Sequence, residues 1–393
     1  MKKLHPIFFI ALGLFGVYSI EFGVVGILPV ITQRYGISAS QAGFLVGLFA
    51  LVVAAGGPFM VLLMSRFNRK KVLMLSLLIF SASSVLSAYA PNYATLTISR
   101  IIPALFHPVY FSLAFVAAAS LYPKNMATHA SAKAFVGTSM GMVLGIPITT
   151  WIAARVSYEA SFLFSAAVNF IAALGILAKL PDAPKTERIS YGKQLAILRK
   201  IPLWLNIAAS TAIFGAMFSV YSYSAEYLRL EARMSGELIS VVLVIFGIGG
   251  VTGNLLAGKL LAKDKVRTTV MHPIALSAAY LVLHFFCTSS LPPMIVIALL
   301  WGAIHTSGLI VTQIWLTSEA PEAPEFATGV YISFINLGVV FGSTAGGWFL
   351  SRIGIQGTIW SGLMFAAVAL AFIGIKILYY GDVPRQSALS AAR

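Results

Sequence analysis

PIFFIALGLFGVYSIEFGVVGILPVI, residues 6–31, is the stretch that decides the fold. Glu21 is its one charged residue. The run is long enough to cross the ~30 Å hydrocarbon core of a bilayer as one helix. A carboxylate at that depth costs roughly 2.5–3.5 kcal/mol on insertion scales. A chain that keeps one points it into a cavity and uses it, for a proton, a cation or a polar substrate in transit. The preceding Met1-Lys2-Lys3 gives the outline of a signal peptide. The apolar stretch is too long for one, contains Glu21, and reaches Thr32-Gln33-Arg34 without a small-residue cleavage site, so a retained first helix is expected.

The rest of the chain repeats this pattern. Of 393 residues, 59% are hydrophobic and 10% charged, where a soluble domain carries about 25% charged. The apolar content falls in long blocks, which predicts an all-α membrane protein with twelve spans. Their approximate limits are 7–31, 39–64, 72–90, 94–119, 132–154, 160–178, 203–227, 238–259, 269–288, 293–316, 327–350 and 357–380. The net charge of +15 does not call for nucleic acid. With the N-terminus inside, only Arg34, Arg155, Arg229, Arg233 and Arg352 of the 27 Lys and Arg fall on outer loops, and only Arg100 lies within a span away from its cytoplasmic end. That asymmetry places both termini in the cytoplasm. The single cysteine, Cys287, forms no intrachain disulfide.

The longest polar gap, Lys179 to Pro202, divides the chain. It predicts an N-terminal six-helix bundle at 1–180, a cytoplasmic linker at 181–202, a C-terminal six-helix bundle at 203–380 and a cytoplasmic tail at 381–393. The linker's basic stretch, Tyr191 to Lys200, is expected to form a short helix on the inner leaflet. The halves echo each other. Gly137, Gly141 and Gly145 answer to Gly338, Gly342 and Gly346, and the basic loop Arg66–Lys71 answers to Lys259–Arg267. Two parallel six-span repeats match the two-bundle architecture of secondary transporters.

Two enzyme-like patterns carry no chemistry. Gly253-Asn254-Leu255-Leu256-Ala257-Gly258-Lys259 approaches a phosphate loop, but Leu260 stands where magnesium needs a hydroxyl, and the stretch ends a span instead of following a strand. Gly137-Thr138-Ser139-Met140-Gly141 fits a nucleophile elbow. Its glycines recur every four residues through a membrane helix, which close helix packing explains. There is no metal-ligand spacing, so no metal, cofactor or enzymatic activity is expected.

The polar residues inside spans are the functional candidates. Glu21 lies ~21 Å above the cytoplasmic edge, and Arg100 in the fourth span shares that depth. Facing each other, or facing one cavity, is the low-cost arrangement for two such charges. His107, flanked by Pro103 and Pro108, either relays protons or bonds a carbonyl that the prolines free. His272, His284 and His305 read as satisfied or interfacial histidines. Tyr221 and Tyr223 suit an amphipathic substrate or the aromatic belt. Gln313 and Asn336 are cavity liners or interhelical glue.

These residues resemble the major facilitator superfamily over the whole chain, and within it the twelve-span drug/proton antiporter branch. Arg100 followed by His107 is similar to that branch's fourth-span arginine motif, and Gly137-x-x-x-Gly141-x-x-x-Gly145-Ile-Pro147 to its fifth-span antiporter motif. Glu21-Phe22-Gly23 and Tyr221-Ser222-Tyr223 resemble bacterial sugar, arabinose and purine efflux permeases. One departure stands out. The family's loop after the second span holds an Asp and two Gly that are missing here, although Arg66, Arg69 and Lys70 keep its basic character. The resemblance implies a central cavity between two bundles and export driven by proton entry. Glu21, Arg100 and His107 would couple protons. Phe22, Tyr221, Tyr223, Gln313 and Asn336 would meet substrate. Gly137, Gly141, Gly145, Pro147, Arg66, Arg69 and Lys70 would serve packing and gating. The expected partners are a small organic molecule (sugar, nucleoside or drug-like), protons and the bilayer, with the chain a monomer in the inner membrane. The alternative is an uncoupled facilitator, or a flippase of lipid-like substrates, on the same fold.

Overall fold

The computed structural model describes residues 5–37, 39–123, 126–182 and 190–381. The tail from 382 and the linker's middle, 183–189, lie outside the described residues. Among those described, the chain is helical with no strand. The first set is α1 (Pro6–Gly26), α2 (Leu28–Tyr35), α3 (Ala39–Met64), α4 (Arg69–Ala88), α5 (Tyr93–Ser120), α6 (Ala127–Arg155) and α7 (Tyr158–Lys179). A short α8 (Tyr191–Ala196) sits in the linker. The second set is α9 (Ile201–Tyr221), α10 (Ser224–Leu230), α11 (Gly236–Lys263), α12 (Lys265–Phe286), α13 (Leu291–Thr317), α14 (Pro324–Ile353) and α15 (Gly357–Tyr380). Each helix of the first set has its counterpart about 200 residues later, the mark of a parallel repeat.

Among the described residues, ten segments are long and apolar enough to cross a membrane. An eleventh, α6, bends by 41° between Gly145 and Pro147. There the proline has no N–H for the helix ladder. The second span's place is held by α3, whose described apolar stretch is Leu48–Met64. The outer surface suits lipid: Leu378 is 82% and Phe59 74% exposed, while Asn169, Asn206 and Asn254 are fully buried. Polar caps mark the helix ends. Asn68 accepts from the Lys71 amide at the start of α4, and Asp264 accepts from the Arg267 amide at the start of α12.

Two expected spans differ from their sequence reading. Residues 7–31 are not one helix: Ile27 leaves helical geometry at φ −111°, ψ 8°, and α2 starts afresh with Pro29 in its first turn. Pro29 has no N–H for the carbonyl four residues back. The seventh span breaks at Tyr223, with φ −112°, ψ 11°. The repeat thus extends to a matched backbone break.

Within each bundle the glycine ladders set the closest approach. A Cβ at Gly137 or Gly141 would run into the carbonyl oxygens of Ala11 or Phe15 in α1. At Gly338, Gly342 and Gly346 it would meet the carbonyls of Thr211, Gly215 and Ser219 in α9. So α6 packs on α1 and α14 on α9 in the same way. The bundles meet where α6 faces α11 and α3 faces α14. Asn254 of α11 donates to the Ser139 hydroxyl of α6, and Ser333 of α14 donates to the Val53 carbonyl of α3 at 3.3 Å. Both enzyme-like patterns therefore lie in helices and face each other across this seam. At the basic end Arg69 pairs with Glu325 of the other bundle, at 2.9 Å from Nε and 2.7 Å from a terminal nitrogen.

Candidate functional site

The site grows from α1 and α5. The α6 glycines draw α1 close, and Glu21 lands on its buried face, 8% exposed. Its carboxylate Oε2 lies 3.1 Å from His107 Nε2 of α5. The distance is that of an ion pair, but the contact does not meet hydrogen-bond geometry, and both His107 nitrogens lack a hydrogen-bond partner among the described residues. His107 is 1% exposed. It does not bond a carbonyl freed by Pro103 or Pro108. It sits among the rings of Tyr18, Phe49 and Phe111, at centroid distances of 5.4, 5.9 and 6.1 Å.

Arg100 makes no direct ion pair with Glu21 among the described residues, although it lies within the field of that carboxylate. It is 3% exposed and sends both terminal nitrogens to the Ile20 carbonyl at 3.4 Å. Its guanidinium lies 5.3 Å from the Phe49 ring centre. Arg100 thus reaches the peptide next to Glu21, while the Glu21 carboxylate lies against His107, two turns further along α5. Side chains on a helix lean toward its N-terminus. On α1 that lean carries Glu21 toward the basic end and His107. On α5, running the other way, it carries Arg100 from Glu21. Buried together are one carboxylate, one imidazole beside it, and one guanidinium held against the adjacent peptide.

The aromatic candidates divide. Phe22 stacks on Tyr18 at 5.9 Å and so adjoins the His107 group. In the other bundle Tyr221 stacks on Phe246 at 5.2 Å and lies 5.0 Å from the His305 ring. Tyr223 is elsewhere: its hydroxyl donates to the Ser343 carbonyl at 2.7 Å, tying the α9–α10 break to α14. Gln313 is buried with its side-chain oxygen unpartnered. Asn336 spends its amide on the Ile332 carbonyl of its own helix at 2.9 Å.

His305 departs from its reading as a satisfied histidine. It is 1% exposed and neither ring nitrogen has a partner among the described residues. Phe218, Tyr221, Phe246 and Trp301 surround it at 5.9, 5.0, 5.2 and 6.4 Å. It occupies in α13 the register that His107 occupies in α5. The repeat offset that matched the glycines would have found it. His272 is satisfied on one side, by the Ile304 carbonyl at 2.9 Å.

The gating candidates split in the same way. Gly137, Gly141 and Gly145 pack on α1 within their own bundle, and Pro147 sits at the α6 bend. Arg69 crosses to Glu325. Arg66 instead lies over the Tyr191 ring of α8, 3.7 Å from its centre, and Lys70 is half-buried. A second buried pair joins Lys376 to Glu319, two residues that no local sequence signal links. Lys376 lies inside α15, 1% exposed, 2.8 Å from Glu319. No group of His, Cys, Asp and Glu among the described residues suits a metal.

The family model described as Major Facilitator Superfamily matches residues 10–322 and 223–393. The chain is 32% identical to "Inner membrane transport protein YdhP" of Escherichia coli (strain K12), over 96% of this chain and 97% of that one. It is 26% identical to "Probable sugar efflux transporter" of Mannheimia succiniciproducens, over 93% and 91%. The crystal structure of the E. coli fucose:proton symporter FucP superposes with a TM-score of 0.73 at 17% identity, covering 94% of this chain and 98% of that one.

Proposed function

The chain belongs to the major facilitator superfamily and is a membrane transporter, not an enzyme, and from that premise we propose that it exports small organic molecules in exchange for protons. The observation that carries the reading is the buried contact of Glu21 with His107 at 3.1 Å. A proton arriving on Glu21 cancels the charge that His107 and Arg100 face, and so changes which arrangement of the two bundles is favoured. The shift has a path to the second bundle. Pro108, next to His107, and Ser333 of α14 both crowd the open side of Gly57 in α3. Movement of α5 is therefore felt at the α3–α14 seam.

Substrate would lie between the bundles. Tyr221, Phe246 and Trp301 around His305 offer ring faces with one polar edge, and Gln313 offers a free carbonyl oxygen. Such a set suits sugars, nucleosides and weakly basic amphiphiles. Arg69–Glu325 and Asn254–Ser139 form the closed gate of the basic end, which the positive-inside rule assigns to the cytoplasm. Both termini then lie inside, in an inner membrane, and one chain is the working unit. Exchange also draws on the membrane potential, worth ~2.3 kcal/mol per charge per 100 mV.

The test begins with a thermal-shift screen over those three substrate classes, because a ligand that binds the folded state raises its apparent stability. The best ligand is then followed in proteoliposomes. Flux that responds to an imposed pH gradient and loses that response in Glu21→Gln supports exchange. Full activity in Glu21→Gln would instead favour an uncoupled facilitator or flippase.

A further inference from the structure

The basic loops of the two halves are partnered differently. In the first half the linker helix covers the loop after α3: Gln194 donates to the Ser65 hydroxyl at 2.8 Å, and Arg66 lies on Tyr191. In the second half, Lys263 at the end of α11 and Arg267 in the first turn of α12 are exposed and have no side-chain partner among the described residues. Nearby Lys265 turns inward instead, to Ser318 at 3.3 Å. The Asp264 carboxylate is engaged as the cap of α12 through the Arg267 amide at 2.9 Å. Lys263 and Arg267 therefore carry unpaired charge at the membrane's basic face among the described residues.

They stand at the mouth of a cavity of about 580 Å³ between α11, α12 and α13, a size within the roughly 300–1,000 Å³ of ligand sites. Its walls are apolar. Leu256, Leu260 and Met271 line it and are 57%, 46% and 49% exposed, so it opens sideways to the bilayer. His272 lines its inner part and keeps a buried, unpartnered Nδ1. Cations at the mouth, hydrocarbon walls and one buried polar atom within are the features of a phospholipid with an anionic headgroup.

We propose that this groove binds one anionic phospholipid of the basic-side leaflet, its phosphate between Lys263 and Arg267 and an acyl chain along α11 and α12. The binding claim does not depend on proton coupling. The lipid does have a route to transport. Gly253 lines the groove, and the next residue, Asn254, holds Ser139 of the other bundle. An occupant therefore presses on the helix that forms the seam.

The experiment is native mass spectrometry of the full chain in detergent. It titrates palmitoyl-oleoyl phosphatidylglycerol against phosphatidylcholine with the same acyl chains. The expected result is one tightly retained phosphatidylglycerol and weaker phosphatidylcholine. Each neutralised groove cation should weaken retention roughly fivefold, so Lys263→Gln with Arg267→Gln loses about 25-fold. Ala275→Leu, which narrows the groove and keeps both charges, should also weaken it. Lys259→Gln, an exposed cation outside the groove, should change nothing. Melting curves confirm that each variant is folded. Equal retention of the two lipids, an unchanged double variant, or a loss in Lys259→Gln as large as in Lys263→Gln would overturn the proposal.

Discussion

Glu21 faces His107 because its side chain leans toward the N-terminus of α1, and this choice of partner shapes what each substitution does. Glu21→Gln keeps the volume and removes the charge, so uphill transport should be lost while downhill exchange persists. Radiolabelled substrate flux with and without a pH gradient separates the two. His107→Gln should weaken coupling less than Glu21→Gln does, since the carboxylate remains. If the residues act as a pair, the stability losses of Glu21→Gln and His107→Gln should fall short of additive by ~0.5–3 kcal/mol in a thermal unfolding cycle. Clean additivity would mean that they act separately. Arg100 grips the Ile20 carbonyl with two nitrogens. Arg100→Lys keeps the charge but loses the fork, so partial activity is expected and Arg100→Ala should do worse.

Helix packing makes its own predictions, because the glycine ladder holds α1 in place. Gly141→Val would drive a side chain into the Phe15 carbonyl and Tyr18, and overpacking of this kind costs roughly 1–3 kcal/mol. Gly374 in α15 has nothing within 4 Å of an added Cβ, so Gly374→Ala should be neutral or stabilising by up to about 1 kcal/mol. Melting temperatures in one detergent give both values, and equal losses would contradict the packing account. The ladder was legible in the sequence because glycines every four residues share one helix face. The breaks at Ile27 and Tyr223 were not, since a hydropathy window averages over an interruption of one or two residues, although Gly26 and Pro29 flank the first break and Ser222 and Ser224 the second. Depth was legible too: a rise of 1.5 Å per residue brought Arg100 to the level of Ile20. Direction was not, because a count of residues along a helix gives height but neither rotation nor the lean of the side chain. His305 was hidden for another reason. A lone histidine in a span reads as satisfied until its repeat partner, His107, is set beside it.

The whole molecule is two bundles that share a seam, and its basic end is bridged by Arg69 and Glu325. The family's loop Asp is absent, and here the carboxylate that meets the loop comes from the other bundle. Arg69→Glu should loosen that end and change the transport rate, and the exchanged pair Arg69→Glu, Glu325→Arg should restore much of it. A swap no better than the single variant would deny the bridge a gating role. The twelve-span plan and its repeat could be read in advance because hydropathy and glycine spacing are local signals. The bridge could not, because nothing local links a loop at residue 69 to a helix start at residue 324. The central claim is that a proton on Glu21 drives export, and its most direct measurement is substrate accumulation against its gradient in proteoliposomes under an imposed pH difference. The account predicts uphill movement by the native chain that collapses when the gradient is dissipated and never occurs in Glu21→Gln. Accumulation that ignores the gradient, or that survives in Glu21→Gln, would contradict it.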